Sequence, residues 1–168
     1  TYDSPIGRLT LAARGGALVG LWVAGQRFFG SPGIDEASAH PAVDLTSPDS
    51  REGALARARW DEADARALRA AASWLDGYFA GEAPSPAAVP LAPTGTDFQQ
   101  RVWEAMDTIP YGATRTYGQI VTQLRGAGIP ASAQSVGGAV GRTPLLLIRP
   151  CHRVVAASGP GGYAAGGD

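Results

Sequence analysis

Leu145-Leu146-Leu147-Ile148-Arg149-Pro150-Cys151-His152-Arg153-Val154-Val155 carries an apolar run into the chain's only cysteine, which stands beside one of its two histidines. The thiolate is the nucleophilic form of cysteine, and a neighbouring imidazole with nearby arginines is an environment that generates it. A lone cysteine is more often a small buried hydrophobe. Proline on one side and histidine and arginine on the other reverse that preference here. Adjacent residues seldom point the same way, so a direct Cys151–His152 hydrogen bond and one bridged by a water both stay open.

Working upstream, residues 116–124 and 132–140 read as two short helices. Tyr117, Ile120, Val121 and Leu124 line one side of the first, and Ser132 caps the second. Gly126-Ala127-Gly128-Ile129-Pro130 separates them. Helix, glycine-containing turn, short helix is the pattern of a helix-turn-helix, although an ordinary αα-hairpin has the same local grammar. Before it, Thr96 with Gln99 three residues on has capping-box spacing. Phe98, Val102, Ala105, Met106 and Ile109 then form one apolar helix face, which Pro110-Tyr111-Gly112 ends. Trp103 reads as core.

Charge supports a polyanion partner for this half. Residues 1–90 hold eight arginines against eleven acids, whereas residues 91–168 hold six against four. Between Asp107 and Asp168 there is no acid, yet Arg115, Arg125, Arg142, Arg149 and Arg153 all fall in that interval. Spaced arginines without acids suit a face that displaces counterions from phosphates, and in a small chain the same spacing also arises by chance. The chain has no lysine and no asparagine, which reads as coding bias.

The N-terminal half differs in texture. Arg8-Leu9-Thr10-Leu11-Ala12 and Ala17-Leu18-Val19-Gly20-Leu21-Trp22-Val23 read as a hairpin turned at Gly15-Gly16. Residues 30–50 read as a long loop containing a solvated His40. Leu68, Ala72, Leu75 and Phe79 predict a helix over residues 64–80, stopped by Gly81. Residues 83–93 are too proline-dense for a central strand and mark the candidate domain boundary.

The whole is 168 residues with 45% hydrophobic and 17% charged content and a net charge of −1. That describes one ordinary globular domain or two small ones, and excludes a disordered tail or a coiled coil. No apolar run reaches membrane-spanning length. One cysteine excludes an internal disulfide framework, and with two histidines it leaves too few ligands for a usual structural zinc site. The chain starts at Thr1 and stops at Gly166-Gly167-Asp168, and so reads as a piece of a longer protein.

Pro150-Cys151-His152-Arg153-Val154 resembles the active-site signature of the O6-alkylguanine-DNA alkyltransferases, also called methylated-DNA–protein-cysteine methyltransferases. Phe98-Gln99-Gln100-Arg101-Val102-Trp103, Ile109-Pro110-Tyr111-Gly112, Thr116-Tyr117, Val136-Gly137-Gly138-Ala139 and Gly161-Gly162-Tyr163 follow the family's order and approximate spacing. Ser4-Pro5-Ile6-Gly7 is similar to its opening strand. The resemblance implies an α/β N-terminal domain of RNase H-like form over residues 1–85 and a Pro-rich linker over 86–97. A mostly helical, DNA-binding domain with a helix-turn-helix would then occupy 98–168.

It further implies single-turnover DNA repair, in which Cys151 accepts an alkyl group from O6-alkylguanine in double-stranded DNA and His152 deprotonates it through a water. Tyr117 would aid extrusion of the nucleotide and supply a proton to the departing guanine. Val154 and Tyr163 would line the base pocket. Ser132, Gln134 and Gly138 would face DNA from the recognition helix, and Arg115, Arg125 and Arg142 would attract its backbone. No cofactor, metal or membrane is expected, and a cytoplasmic monomer is.

Three departures stand against the pattern. Gln134 occupies the place of the arginine that fills the gap left by a flipped base, and Thr143 that of an asparagine. The acid that orients the histidine belongs to a C-terminal helix beyond Asp168, so either the sequence continues or the protein is an impaired member. An impaired member would be a non-catalytic binder of alkylated DNA, the main alternative; a cysteine hydrolase or redox sensor is the third.

Overall fold

The computed structural model describes residues 1–30 and 61–159. Its first element is a three-stranded antiparallel sheet of β1 (Tyr2–Ser4), β2 (Gly7–Arg14) and β3 (Ala17–Val23), in that order. The expected β2–β3 hairpin is present, with Gly15 and Gly16 at φ +63° and +79°, the conformation a tight right-twisted turn requires. Ser4-Pro5-Ile6-Gly7, expected as an opening strand, is instead the turn joining β1 to β2. Ser4 pairs with Gly7, whose carbonyl accepts the Ser4 hydroxyl at 2.6 Å. Pro5 cannot donate to a ladder, which favours that turn.

A bulge interrupts the β2–β3 register between Ala12 and Ala13: Gly20 pairs with Ala12, Leu18 with Ala13. Strand residues an even number apart share an edge, so Leu18 and Leu21 would normally face opposite ways. The extra residue resets that parity. Both now use the open edge of β3 while both side chains are fully buried.

The helix expected over residues 64–80 runs from Glu62 to Phe79 and is here α1. It begins earlier because Asp61 caps it, accepting the Ala63 N–H at 2.8 Å, with Glu62 and Asp64 in the first turn. Leu68 and Leu75 are buried as expected, and Ala65, Ala67, Ala71 and Trp74 complete the set of buried residues. Ala72 and Phe79 are only partly covered. Two bonds seat α1 on the sheet: the Gly16 N–H donates to Asp64 (2.6 Å) and the Tyr2 hydroxyl to Asp76 (2.7 Å).

The Pro-rich connection contains a 3-10 turn at Pro86–Ala88 and then touches β3. Leu18 N–H donates to the Pro90 carbonyl at 2.8 Å, and the Ala92 N–H returns to Leu18 at 2.9 Å. The later chain holds α2 (Asp97–Asp107), β4 (Arg115–Thr116), α3 (Tyr117–Gly126), α4 (Ala133–Gly141) and β5 (Val154–Val155). Each of the three helices starts on a complete capping box: Thr96/Gln99, Thr116/Gln119 and Ser132/Ser135. Trp103 is core, and its indole N–H donates to the Ala139 carbonyl at 2.9 Å, joining α2 to α4.

Most of the buried apolar side chains among the described residues, from Tyr2 to Val154, form one connected cluster. Leu145 is its hinge, fully buried and bridged to Leu21 of β3. Leu145→Ala should lower unfolding stability by about 2–5 kcal/mol, the usual range for a buried leucine truncation. Urea unfolding of the two proteins checks this; a loss below ~1 kcal/mol would show that the two halves do not share this packing.

Candidate active site

The apolar run does not form a regular strand. Leu145 to Ile148 are all buried, and Leu21 exchanges backbone hydrogen bonds with the Pro144 carbonyl (2.6 Å) and the Leu146 N–H (3.0 Å). The chain then folds back sharply: Leu147 has φ +68°, a left-handed conformation that non-glycine residues rarely hold. The Arg149 N–H closes the turn on the Leu145 carbonyl at 3.0 Å. Pro150 leads into a single 3-10 turn, Cys151–Arg153, followed directly by β5.

β5 pairs in parallel with β4, Arg115 opposite Val154 and Thr116 opposite Val155. Tyr117, the first residue of α3, is thereby delivered beside the cysteine turn. Its phenol is held above the usual range, first by burial and second by the charge Cys151 would carry. A side chain on Gly137 would meet the Tyr117 ring at 3.9 Å, so the phenol lies over the bare backbone of α4.

Cys151 is buried at 3% exposure and takes part in no disulfide. His152 is partly buried, and burial, assisted by the charge of Arg153, pushes its pKa down to about 4. It is therefore a neutral imidazole at neutral pH, able to accept a proton but reluctant to keep it. Its Nε2 lies 3.2 Å from the Tyr78 hydroxyl of α1. Tyr78 was not legible as a site residue, because it sits between Asp76, Gly77 and Phe79 with nothing local to single it out; only the packing of α1 against the turn selects it.

The arginines are used less uniformly than their spacing suggests. Arg149 is 9% exposed, with its guanidinium over the Trp103 ring and 3.7 Å from Asp107. Arg153 donates to the Ile109 carbonyl at 3.2 Å and covers the Tyr111 ring. The apolar run that precedes Arg149 draws it inward, whereas Arg153 is only partly covered. Arg115 is partly covered and donates to Thr108 and Gln123. Arg125 and Arg142 are exposed; Arg125 donates to the Ala131 carbonyl across the α3–α4 turn, and Arg142 to Gly138, lying over the Phe28 ring.

Gln134 is exposed near the start of α4, beside the cap Ser132. Gly138 lies about one and a half turns from that end and is partly covered by Arg142. Thr143 is buried and donates to the Val140 carbonyl at 2.8 Å, finishing α4. Val154 is buried in the core next to the cysteine turn. Tyr163, Asp168 and His40 lie outside the described residues. Among those described, no cluster of three or more His, Cys, Asp or Glu could hold a metal, and no helix is long and apolar enough to cross a membrane.

Comparison with known proteins decides the lineage. Residues 97–168 match the family of the 6-O-methylguanine DNA methyltransferase DNA-binding domain. A methylated-DNA–protein-cysteine methyltransferase of Mycobacterium tuberculosis is 41% identical over 167 residues, covering 99% of this chain and 83% of that protein. The chain belongs to the methylated-DNA–protein-cysteine methyltransferase family. The same activity name is carried by a Methanosarcina acetivorans relative, 50% identical over 102 residues, 60% of this chain and 63% of its own. The crystal structure of M. tuberculosis OGT in complex with DNA superposes with a TM-score of 0.67 at 37% identity, covering 98% of this chain and 85% of that one.

For this methyltransferase-family chain the depressed His152 pKa has a consequence for stability. The unfolded state takes up a proton near the ordinary histidine value of about 6.5, whereas the folded state resists until pH is near 4. Between those values the unfolded chain binds more protons, so stability falls as pH drops through that window. Urea unfolding at neutral pH and near pH 4.5 should show the parent losing about 2–3 kcal/mol more than His152→Gln. Equal losses would mean that His152 titrates normally in the fold.

Proposed function

We propose that this protein repairs DNA directly, Cys151 taking the alkyl group from O6-alkylguanine in double-stranded DNA once per molecule. The observation that carries the reading is the placement of Cys151. It lies buried in a 3-10 turn between a neutral His152 and the phenol of Tyr117, in a chain of the methyltransferase family. In the transfer the thiol proton passes to His152 through a water. The sulfur–carbon bond forms as the carbon–O6 bond breaks, and Tyr117 gives its proton to the departing guanine. The raised pKa of Tyr117 keeps that proton in place until it is needed. A thioether is not hydrolysed, so each molecule reacts once, and the balance closes without a cofactor or metal.

The base must leave the stack to reach a buried sulfur, which costs a few kcal/mol and favours a damaged, poorly paired base. On this reading α3 and α4 act as the helix-turn-helix, with Ser132, Gln134 and Gly138 toward DNA and Arg115, Arg125 and Arg142 toward its phosphates. Val154 lines the base pocket; the same role for Tyr163 rests on the motif resemblance. Residues 1–85 form the α/β domain of RNase H-like form, 86–97 the linker and 98–168 the DNA-binding domain. One chain carries acceptor, base and acid, so a monomer suffices, in a reducing compartment such as the cytoplasm.

Incubation with O6-benzylguanine followed by intact-mass measurement should give one benzyl adduct per molecule, absent in Cys151→Ala. No adduct on a chain carrying its full C-terminus would sink the reading. If such an inert parent and its Cys151→Ala variant bound lesion DNA equally well, a binding module would take its place.

Gln134 supplies a second test. Glutamine is shorter than arginine and neutral, so it fills the space of an extruded base less well, though its amide can bond the orphaned cytosine. Gln134→Arg should raise the repair rate on duplex DNA and leave the rate on the free alkylated base unchanged. Two unchanged rates would remove Gln134 from the lesion.

A further inference from the structure

After β3 the chain turns between two glycines in the left-handed region, Gly25 at φ +79° and Gly30 at φ +75°. Phe28 lies between them at φ +66°, a conformation uncommon for a bulky residue and kept only where the surroundings enforce it. The turn is closed locally. The Gln26 N–H donates to the Val23 carbonyl and the Phe29 N–H to the Gln26 carbonyl, each at 3.2 Å. Phe29 lies against Trp22 of β3, with ring centres 5.8 Å apart. The Phe28 ring reaches the end of α4 instead: the Arg142 guanidinium stands over it at 4.7 Å, and that of Arg27 at 5.0 Å.

Two cations on one ring repel each other, and at exposed positions an aromatic face gives each only a modest attraction. Both arginines are exposed and Phe28 is partly buried. Arg142 has a local reason for its place. It caps α4, and its guanidinium donates to the Gly138 carbonyl at 3.3 Å, at the negative end of the helix dipole. Arg27 belongs to the N-terminal half, and the left-handed turn is what carries it there. Like charges gathered at a surface suit an anion that lies across both, as phosphates spaced along a duplex do.

Their place on the molecule indicates which phosphates. Gln134, Gly138 and Arg142 recur at every fourth residue, so they form one row along α4. The repair reading sets that row toward DNA. The Phe28 ring stands at its C-terminal end, and Arg27 continues it beyond the helix.

We propose that Arg27 and Phe28 extend the DNA-binding face onto the N-terminal half: the Phe28 ring holds Arg27 beside Arg142, and the two guanidinium groups take phosphates of the duplex backbone. The inference rests on the repair reading, in which α4 faces DNA, and adds a contact from outside the later chain. Backbone phosphates are alike at damaged and undamaged sites, so the contact contributes affinity and register rather than choice of lesion.

Binding of the full chain to an undamaged, fluorescein-labelled duplex, followed by anisotropy over a salt series, tests this. One phosphate contact contributes about 0.9 to the slope of log affinity against log salt. Arg27→Gln should lower the slope by roughly one and weaken binding severalfold at low salt. Arg14→Gln removes the same charge at the Gly15-Gly16 turn, the opposite end of β3, and should leave the slope in place. An unchanged slope in Arg27→Gln overturns the proposal. So does an equal loss in both variants, which would make the effect one of net charge.

Phe28→Leu keeps both charges and removes the ring that gathers them. It should reproduce most of the loss, and adding Arg27→Gln to it should cost little more. A full further loss in that background overturns the role of the ring. Arg27 and Arg14 are exposed, so their comparison stands even where Phe28→Leu disturbs the turn. A parent that binds no duplex overturns the repair reading together with this inference. A parent that binds, with a slope that Arg27→Gln leaves unchanged, overturns this inference alone.

Discussion

The open edge of β3 holds the reaction turn in place. A three-stranded sheet with one bare edge is marginal by itself, and its unpaired N–H and C=O groups invite pairing with another chain. Here residues 90–92 cover the edge at Leu18 and residues 144–146 cover it at Leu21. Each bond contributes only about 0.5–1.5 kcal/mol, but a buried backbone group left unpaired would cost more. Because both leucines are fully buried, a shift of either segment would also open the core. The cysteine turn starts six residues beyond Leu145, so its position relative to α1 is set by this docking.

That docking explains why chemistry and packing are hard to separate in this chain. The same apolar run that fills the space against β3 draws Arg149 under the surface. There burial pulls its pKa down, and the partly covered Asp107 at 3.7 Å pushes it back up. Such a pair is poor evidence of stability, since desolvation offsets most of the attraction. Its guanidinium is engaged with Trp103 and Asp107, and the polar groups placed around Cys151 are His152, Tyr78 and Tyr117.

Local signals were legible wherever a short-range hydrogen bond decides the outcome. Thr96 with Gln99, Ser132 as a cap and Gly15-Gly16 as a turn are satisfied within four residues, so their identities alone determine the structure. The Ser4–Gly7 turn and the early start of α1 were less legible, because they depend on what pairs with Gly7 and on a cap at Asp61. The arginine spacing was misleading for Arg149, since a linear count of charges cannot show which side chains the apolar run pulls inside.

By itself the sequence determined the cysteine with its neighbouring histidine, the three helices of the later chain and the family motifs that connect them, because each is carried by residues adjacent or a few positions apart. Only the tertiary structure decided that Leu18 and Leu21 share an edge, that β4 and β5 run side by side and deliver Tyr117, and that Tyr78 reaches His152. Those depend on a one-residue bulge, a parallel register and a helix seated by Asp64 and Asp76. The physical reason is range: hydrogen bonds inside a turn are specified by the residues that make it, whereas contacts across 74 residues exist only once a common core has fixed the distance between them.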